Sequence, residues 1–507
     1  MNRRSVRWAM RGCLLLAVGL ARAQPPLGLF AEHTDVGTVL HPGSVVYDAA
    51  RRSYTISGSG ENVWAAVDAF QFVWKKMEGD FTLTADISVL GQGGDPHKKA
   101  MLMARQSLDP DSAYADVALH GVGLTSLQAR DAKGADTHEV QSNISAPKRL
   151  RLQKYGDEFT IWLAGEGGKF RFAGGSMRVP LTGPFYVGLG VCAHNKDAVE
   201  TAEFRNVALE NSAVDMTTQM LYGTLETITV ASTDRRVTYV GSPFVAGPNW
   251  TPDGASLLFT HDGRIESVPV EGGEPKAVNT GLPVGMDSYH GISPDGTMLA
   301  TGNLSHGDRS VIYVTPVAGG VPRRVTAQSA SFFNGWSPDG KNIVFNGWRH
   351  GRLGVYTIPV AGGKETLLAA ASAVGSAEYS PDGKYIYFNS DRSGATEVWR
   401  MRPDGSQPEQ VTKDGAGNWF PHISPDGRLL AFLTPQQKDS NFPLGFAPTT
   451  LHMMTLADGQ VRTLAKFMGG LTSMPNSCWS PDSRRIAFVS YHGIKSQPES
   501  PAPAVVK

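Results

Sequence analysis

The sequence predicts an all-β protein with an N-terminal β-sandwich of the jelly-roll type followed by a six-bladed β-propeller. Three observations support this prediction. A Pro-Asp turn motif recurs six times in the C-terminal half, short apolar runs fill the N-terminal half, and 57 Gly and 32 Pro punctuate both halves. Long amphipathic helical patterns are absent. A chain of 507 residues is also too long for one core, so at least two domains are expected.

The first 23 residues have the layout of a cleavable secretory signal. Basic residues at positions 3, 4 and 7 precede the apolar run CLLLAVGLA (13–21), and small residues stand at positions 21 and 23. The apolar run is shorter than the roughly 20 residues that span a bilayer. We therefore expect cleavage after Ala23 and a periplasmic or secreted protein with no membrane span.

Charge and cysteine content narrow the choice of partners. Five of the 47 basic residues lie in the signal, which has no acidic residue, so the mature chain has 42 basic against 47 acidic residues and a net charge of −5. This balance argues against nucleic acid or an anionic membrane surface as the partner. Cys192 and Cys478 lie in different predicted domains, so we expect two buried free thiols.

Residues 28–210 contain many short strands whose alternation assigns two faces. In 99–105, 114–120 and 124–130, one face is apolar and the other is mixed and polar. If these strands are neighbours, one polar surface of the sandwich carries Arg105, Asp116, His120, Gln128 and Arg130. The exposed side of an antiparallel sheet is polar in any protein, so the pattern fits a ligand surface or an ordinary solvated face.

The C-terminal half is a repeat array. The Pro of each Pro-Asp pair stands at position 252, 294, 338, 381, 425 or 481, at intervals of 42, 44, 43, 44 and 56 residues. Pro pre-sets φ for a turn, Asp bonds its own backbone and Gly accepts a positive φ, so each motif predicts a hairpin turn. Two further strands follow in each unit, and four strands in about 43 residues are typical of a propeller blade.

The sixth repeat is truncated, and the missing strands are found at the start of the region. After residue 492 only a Pro-rich tail (493–507) remains, whereas 225–233 and 235–240 match the third and fourth strands of the other units. We expect the ring to close when this ribbon (224–240) pairs with the last two strands, which removes free sheet edges. The propeller is therefore predicted over 223–492, after a linker at 211–222.

The long last interval contains an insertion of about a dozen residues at 436–446, between the second and third strands of the fifth repeat. Its two phenylalanines, Phe442 and Phe446, would suit a binding flap, although a tolerated surface loop fits the pattern equally well.

The run YIYFNSDRSGATEVWRMRPDGSQPEQVT (385–412) resembles the repeat of the TolB-like (PD40, WD40-like) propeller family. The resemblance covers about 270 residues and implies the fold more strongly than a function. TolB itself has a small α/β domain ahead of its propeller, so contacts made by that domain cannot be transferred to this chain.

The stretch HKKAMLMARQSLDPDSAYADVALHGVGLTSLQ (97–128) resembles the concanavalin A-like domain of secreted proteins that pair such a sandwich with a TolB-like propeller. The resemblance implies a concave ligand face, often for sugars. Its implied candidates in this chain are Trp74, Lys99, His120, Gln128 and His194.

The propeller offers a second candidate site, at its central mouth. The residues just before each Pro-Asp turn approach the axis, and loops bring two aromatic residues beside them. The candidates are Asn249, His290, Phe333, Asn334, Glu378, Trp419 and His422. Two His and one Glu there could perform acid–base chemistry, although solvated channel residues would look the same.

Three functions remain open. We see no nucleophile elbow, phosphate loop or dinucleotide fingerprint, and no spaced carboxylates or paired His typical of a metal site, so we predict no cofactor and no metal. A binding protein is favoured, with a glycan or an envelope protein as partner. A polysaccharide hydrolase or lyase is the alternative, and a TolB-like envelope adaptor is the third.

Overall fold

The computed structural model describes residues 27–90, 93–211, 219–241, 244–304, 309–370, 374–436 and 446–495. Every helix or strand in these ranges is a β-strand, which confirms the all-β prediction. The predicted signal, most of the linker, the 437–445 part of the insertion and the tail beyond residue 495 lie outside them. No described residue belongs to a helix long and apolar enough to cross a membrane.

The N-terminal part contains the first sixteen described strands. They are β1 (Glu32–Val36), β2 (Ser44–Asp48), β3 (Ser53–Gly58), β4 (Val63–Trp64), β5 (Val67–Asp68), β6 (Phe70–Met77), β7 (Phe81–Leu90), β8 (Lys99–Arg105), β9 (Tyr114–His120), β10 (Thr125–Arg130), β11 (His138–Gln141), β12 (Arg149–Tyr155), β13 (Glu158–Ala164), β14 (Arg171–Arg178), β15 (Phe185–Cys192) and β16 (Glu200–Asn211).

These strands form two layers that share one core. One layer has the order β1-β6-β15-β8-β9-β10-β11 and the other the order β14-β13-β12-β7-β16-β3-β2. Ala100, Leu102 and Ala104 of the first layer pack with Leu83 and Phe159 of the second. A fully buried Leu or Phe side chain contributes about 1.5–3 kcal/mol, so this shared core holds the layers together.

A short hairpin covers the other face of the first layer. Strands β4 and β5 pair only with each other, and Val63 packs with Phe72, Met101 and Tyr114 in a second apolar cluster on that face. We call residues 59–69 the cover. The cover therefore buries the face that strand alternation assigns as polar, and this face is not open to solvent.

The C-terminal part contains five four-stranded blades, which confirms the propeller. Blade 1 is β19 (Ala246–Trp250), β20 (Ser256–His261), β21 (Arg264–Pro269) and β22 (Lys276–Ala277); blade 2 is β23 (Met286–Ile292), β24 (Met298–Asn303), β25 (Val311–Pro316) and β26 (Arg323–Arg324); blade 3 is β27 (Ser331–Trp336), β28 (Asn342–Arg349), β29 (Arg352–Pro359) and β30 (Thr366–Ala370); blade 4 is β31 (Val374–Tyr379), β32 (Ile386–Ser390), β33 (Glu397–Met401) and β34 (Glu409–Gln410); blade 5 is β35 (Trp419–Ile423), β36 (Leu429–Pro435), β37 (Ala447–Thr455) and β38 (Val461–Gly469).

The repeated Pro-Asp motif forms a turn with the same hydrogen bonds in each unit. In blade 3, the Ser337 hydroxyl donates to Oδ1 of Asp339 at 2.6 Å and accepts from the backbone N–H of Asn342 at 2.9 Å. The Lys341 N–H donates to the same carboxylate oxygen at 3.1 Å. Gly340 has a φ of 68°, which explains the glycine. The motif therefore satisfies the turn's polar groups locally between the first and second strands.

The two ends of the propeller region pair with each other. Strand β17 (Gln219–Thr229) lies between β18 (Arg235–Gly241) and β39 (Arg485–Lys495), antiparallel to both. We call these three strands the ribbon. It packs against blade 1 through one apolar cluster and against blade 5 through another. At the inner position beside β39 there is an isolated bridge from Trp479 to Ile486 in place of a strand.

The sandwich continues directly into the ribbon. Strand β11 pairs in parallel with β18, so the first layer and the ribbon form one ten-stranded sheet. Val237 belongs to the core of the sandwich. Gly174 has a φ of 80°, and an added Cβ there would lie 2.8 Å from Val240. The two parts therefore meet over a packed interface.

Candidate functional site

The inner strand of each of the five blades carries one of the polar residues that the sequence predicts at the central mouth. Every one of these strands has an irregular register next to that residue, and such bulges redirect side chains. A sixth polar side chain comes from the segment before β39. We call the six the axial ring, which consists of Asn249, His290, Asn334, Glu378, His422 and Asn476.

Hydrogen bonds tie members of the axial ring to one another and to the backbone beside them. Nδ1 of His422 lies 2.6 Å from Oε2 of Glu378, and the Nδ2 group of Asn249 donates to the carbonyl oxygen of Ser477 at 2.9 Å. Asn476 donates across to the carbonyl oxygen of Ser288 in blade 2 at 3.2 Å. One bond thus joins two ring members directly, and backbone carbonyls hold Asn249 and Asn476, of which the Pro-Asp spacing does not single out Asn476.

Several atoms of the ring are buried without a protein partner. Both ring nitrogens of His290 and the side-chain oxygens of Asn334 and Asn476 have no hydrogen bond among the described residues. Because a buried polar group without a partner costs free energy, such atoms mark a place where a ligand or solvent completes the structure. Burial lowers the pKa of His290 to about 4, so its imidazole is neutral at pH 7.

The two aromatic residues predicted beside the mouth lie elsewhere. Phe333 is buried and packs with Tyr356 and Ile343 between blades 2 and 3. Trp419 is half-buried against the apolar cluster of blade 5 and the ribbon. Both residues were expected on loops beside the mouth, whereas Phe333 lies within β27 and Trp419 is the first residue of β35.

On the sandwich, the predicted polar face contains a network of buried charges. Both guanidinium groups, of Arg105 and Arg130, lie against the carboxylate of Asp68 in the cover, at 3.3 Å and 2.8 Å. Arg130 also donates to the carbonyl oxygen of Ala65 at 2.8 Å. These two arginines therefore hold the cover in place and are not available to a ligand.

Lys99 and Gln128 belong to the same covered face. Nζ of Lys99 donates to the carbonyl oxygen of Val63 at 2.6 Å, to Oδ1 of Asn62 at 3.1 Å and to Oε1 of Gln128 at 3.1 Å. Burial lowers the pKa of Lys99 and raises that of Asp116 well above its usual value. Neither carboxylate oxygen of Asp116 has a hydrogen-bond partner within the described ranges.

The remaining predicted sandwich residues lie in the core or at its rim. Trp74 is buried and makes an edge-on contact with Tyr186, with ring centroids 4.8 Å apart. His120 is buried, and its pKa is lowered to about 3 by burial and the Lys99 charge. His194 is half-buried at the rim, where its ring lies 5.4 Å from that of the exposed His97.

Among the described residues, no three His, Cys, Asp or Glu side chains lie close enough together to hold a metal ion. The two cysteines within the described ranges, Cys192 and Cys478, are free and buried. The arrangement thus defines an all-β protein with a propeller whose axis holds a buried polar ring.

Comparisons with known proteins identify the propeller. Residues 292–461 match the family described as the TolB beta propeller domain. An uncharacterized protein of Agrobacterium fabrum (strain C58) is 34% identical over 273 residues, which are 54% of this chain and 93% of that protein. A solved structure of a candidate TolB from Agrobacterium tumefaciens is 34% identical and is matched over 55% of this chain and 100% of its own, with a TM-score of 0.51. The chain belongs to the TolB-like β-propeller family.

Proposed function

We propose that this protein is a periplasmic or secreted binding or adaptor protein whose propeller recognises a protein partner at the axial ring. The observation that carries the proposal is the set of buried, unpartnered atoms on His290, Asn334 and Asn476, which lie on the axis of a TolB-like propeller. Propellers commonly bind partners at their central mouth. Neutral His290 and the amide groups suit hydrogen bonds to polar groups of a partner.

The proposal includes a closed ring of six blades. The sixth blade would consist of the ribbon and the segment that precedes β39. Three indole N–H groups support this. Trp336 donates to the carbonyl oxygen of Gly291 in the preceding blade, and Trp250 and Trp479 donate to Cys478 and His422, each at 2.9 Å. The same kind of contact therefore joins blade 2 to blade 3. It also joins the segment before β39 to blade 1 on one side and to blade 5 on the other.

The domain boundaries belong to the same proposal. We place a jelly-roll, concanavalin A-like sandwich at 28–210, a linker at 211–222 and the propeller at 223–492. Export would follow from the signal at 1–23. The mass of the protein recovered from a periplasmic fraction tests export directly, because cleavage after Ala23 leaves a chain that begins at Gln24.

An affinity experiment tests the binding role. The wild-type chain, an Asn334→Ala variant and an Asn143→Ala variant would each be used to capture proteins from envelope extract, followed by titration of any purified candidate. Asn143 is a matched control because its amide donates to the carbonyl oxygen of Thr238 at 3.1 Å, away from the axis. A partner that binds wild type and Asn143→Ala but not Asn334→Ala supports the proposal. Equal binding by all three contradicts it.

Carbohydrate recognition by the sandwich is a second candidate, limited to its rim. Trp64 is half-buried there, and the Lys99 ammonium lies over its ring, 5.4 Å from the ring centroid. An aromatic ring beside polar groups is the arrangement that sugar sites use. A glycan array with the full chain and a Trp64→Ala variant tests it, and an array without any hit counts against it.

A further inference from the structure

A lysine and a glutamine side chain meet beneath the cover of the sandwich. Nζ of Lys99, on β8, lies 3.1 Å from Oε1 of Gln128, on β10, and β9 runs between the two strands. Both side chains are buried. The same face carries the apolar cluster that includes Met101, Met103 and Ala118. An amine and a carboxamide, the two groups that react in a transamidation, are therefore in contact at a place closed to solvent.

The cover fixes the direction of the Lys99 amine. Two of its N–H groups donate to acceptors of the cover, which are the carbonyl oxygen of Val63 at 2.6 Å and Oδ1 of Asn62 at 3.1 Å. Burial lowers the pKa of Lys99, which favours the neutral amine. In that form the nitrogen keeps both bonds to the cover and turns its lone pair towards its third neighbour, Gln128. The carbon Cδ is bonded to Oε1 at about 1.2 Å, so the lone pair faces the group that it would attack.

Asp116 supplies an acid beside the same carboxamide. It lies directly opposite Gln128 in the register of β9 and β10, so the two side chains are neighbours on the buried face. Neither of its carboxylate oxygens has a hydrogen-bond partner in the part of the chain that the structure describes. Burial raises the pKa of Asp116, which favours the protonated carboxyl group. A buried polar group without a partner calls for an explanation, and the transfer of protons to and from its neighbours provides one.

The amide nitrogen of Gln128 lies among groups that can transfer protons. Nε2 is 3.1 Å from Oγ of Ser126, 3.3 Å from Nε2 of His120 and 3.5 Å from Oε2 of Glu139. Such groups stabilise a nitrogen that must gain a proton before it leaves. A nucleophile, an acid and a polar environment for the leaving group therefore surround one carboxamide.

We propose that Lys99 and Gln128 form an intramolecular isopeptide bond, which links β8 covalently to β10 across β9. Nζ bonds to Cδ, the bond from Cδ to Nε2 breaks, and Nε2 leaves as ammonia with the proton that Nζ loses. Asp116 gives its proton to Oε1 during the attack and receives one from Nζ. When the carbonyl group forms again, Asp116 gives a proton to Nε2 and recovers one from Oε1. The reaction needs no oxidant, cofactor or second substrate, and it is independent of the proposed function at the axial ring.

Peptide mass spectrometry of the full chain tests the bond. Trypsin does not cleave after an acylated lysine, so the linked form yields peptide 99–105 joined to peptide 106–130. We expect this pair to account for most of the protein, with a mass that is lower than the sum of the two peptides by one ammonia. The intact mass alone does not suffice, because cleavage after Ala23 would expose Gln24, which also loses ammonia when it cyclises.

Variants separate the bond from ordinary packing. Lys99→Arg removes the nucleophile and should abolish the linked pair. Lys98→Arg is the matched control, because Lys98 pairs with Glu200 at 2.9 Å, and it should form the link as wild type does. Asp116→Asn keeps both reacting groups but lacks the acid, so the link should form about 100-fold more slowly. A time course at neutral pH gives the rates, and circular dichroism checks that each variant is folded.

Two results would overturn the inference. The first is a wild-type digest that contains only the unlinked peptides after prolonged incubation of the folded protein. The second is an equal rate of link formation in wild type and in folded Asp116→Asn. If Asp116→Asn does not fold, the wild-type digest decides by itself, because it requires no variant.

The partner-capture experiment with Asn334→Ala has a separate outcome, since that residue lies in the propeller.

Discussion

The imidazole of His422 bridges two acceptors, with Nδ1 2.6 Å from Oε2 of Glu378 and Nε2 2.9 Å from the carbonyl oxygen of Met474. The imidazole of this blade 5 residue therefore joins the inner strand of blade 4 to the backbone at Met474. The carbonyl oxygen of Met474 can only accept, so Nε2 donates to it, and Nδ1 lies within hydrogen-bond distance of the Glu378 carboxylate.

Replacement of His422 should lower the free energy of unfolding more than replacement of its partner Glu378. His422→Ala leaves a buried carbonyl and a mostly buried carboxylate without their donor, so we expect a loss of about 2–4 kcal/mol in the free energy of unfolding. Glu378→Gln keeps a hydrogen-bonding group and should cost about 1 kcal/mol. Urea titration followed by tryptophan fluorescence measures both. Equal losses would show that the bond to Met474 contributes nothing.

Acid should destabilise the fold through His290. Its folded pKa of about 4 lies below the usual 6.5 because of burial, so between these values the unfolded chain binds a proton that the folded chain does not. The free energy of unfolding therefore falls as pH is lowered from 6.5 towards 4, by up to about 1.4 kcal/mol per pH unit from this residue. His290→Asn should reduce that slope. An identical pH dependence in wild type and variant would contradict the assignment.

The indole of Trp250 should stabilise the seam of the ring as Trp336 stabilises an ordinary blade boundary. Each donates to a backbone carbonyl of the neighbouring unit at 2.9 Å. Trp250→Phe and Trp336→Phe should each cost about 1–2 kcal/mol, since a buried acceptor loses its donor. Calorimetric midpoints compare them. A loss confined to Trp336→Phe would mean that the seam is not closed in solution.

The carboxylate of Asp68 should be essential for the cover of the sandwich. Asp68→Asn leaves the buried guanidinium groups of Arg105 and Arg130 without a counter-charge, and breaking a buried ion pair in this way costs about 3–5 kcal/mol. Asp109→Asn is the matched control, because Asp109 pairs with Lys133 on the surface. Chemical denaturation should show a large loss for the first and no change for the second.

Much of the propeller could be predicted because its information is local. Each Ser/Thr-Pro-Asp turn satisfies its own hydrogen bonds within six residues, so the six turns can be recognised from the sequence. The same spacing led to Asn249, His290, Asn334, Glu378 and His422. It missed Asn476, which stands five residues before Pro481 in a segment that forms no strand.

The polar face of the sandwich shows the limit of strand alternation. Alternation placed Arg105, Asp116, His120, Gln128 and Arg130 on one face, and the register of β8, β9 and β10 keeps them together. It carried no information on what covers that face. Residues 59–69 do so through carbonyl groups and Asp68, and these contacts join positions more than 30 residues apart in the chain.

The sequence by itself determined the all-β class and the repeated turns, because apolar alternation and turn chemistry act over a few neighbouring residues. Only the tertiary structure decided which polar side chains are buried and which lack a partner. Burial depends on chain segments that come together from distant positions in the sequence. For this reason the predicted ligand face of the sandwich is buried under the cover, whereas polar atoms of the axial ring lack a partner.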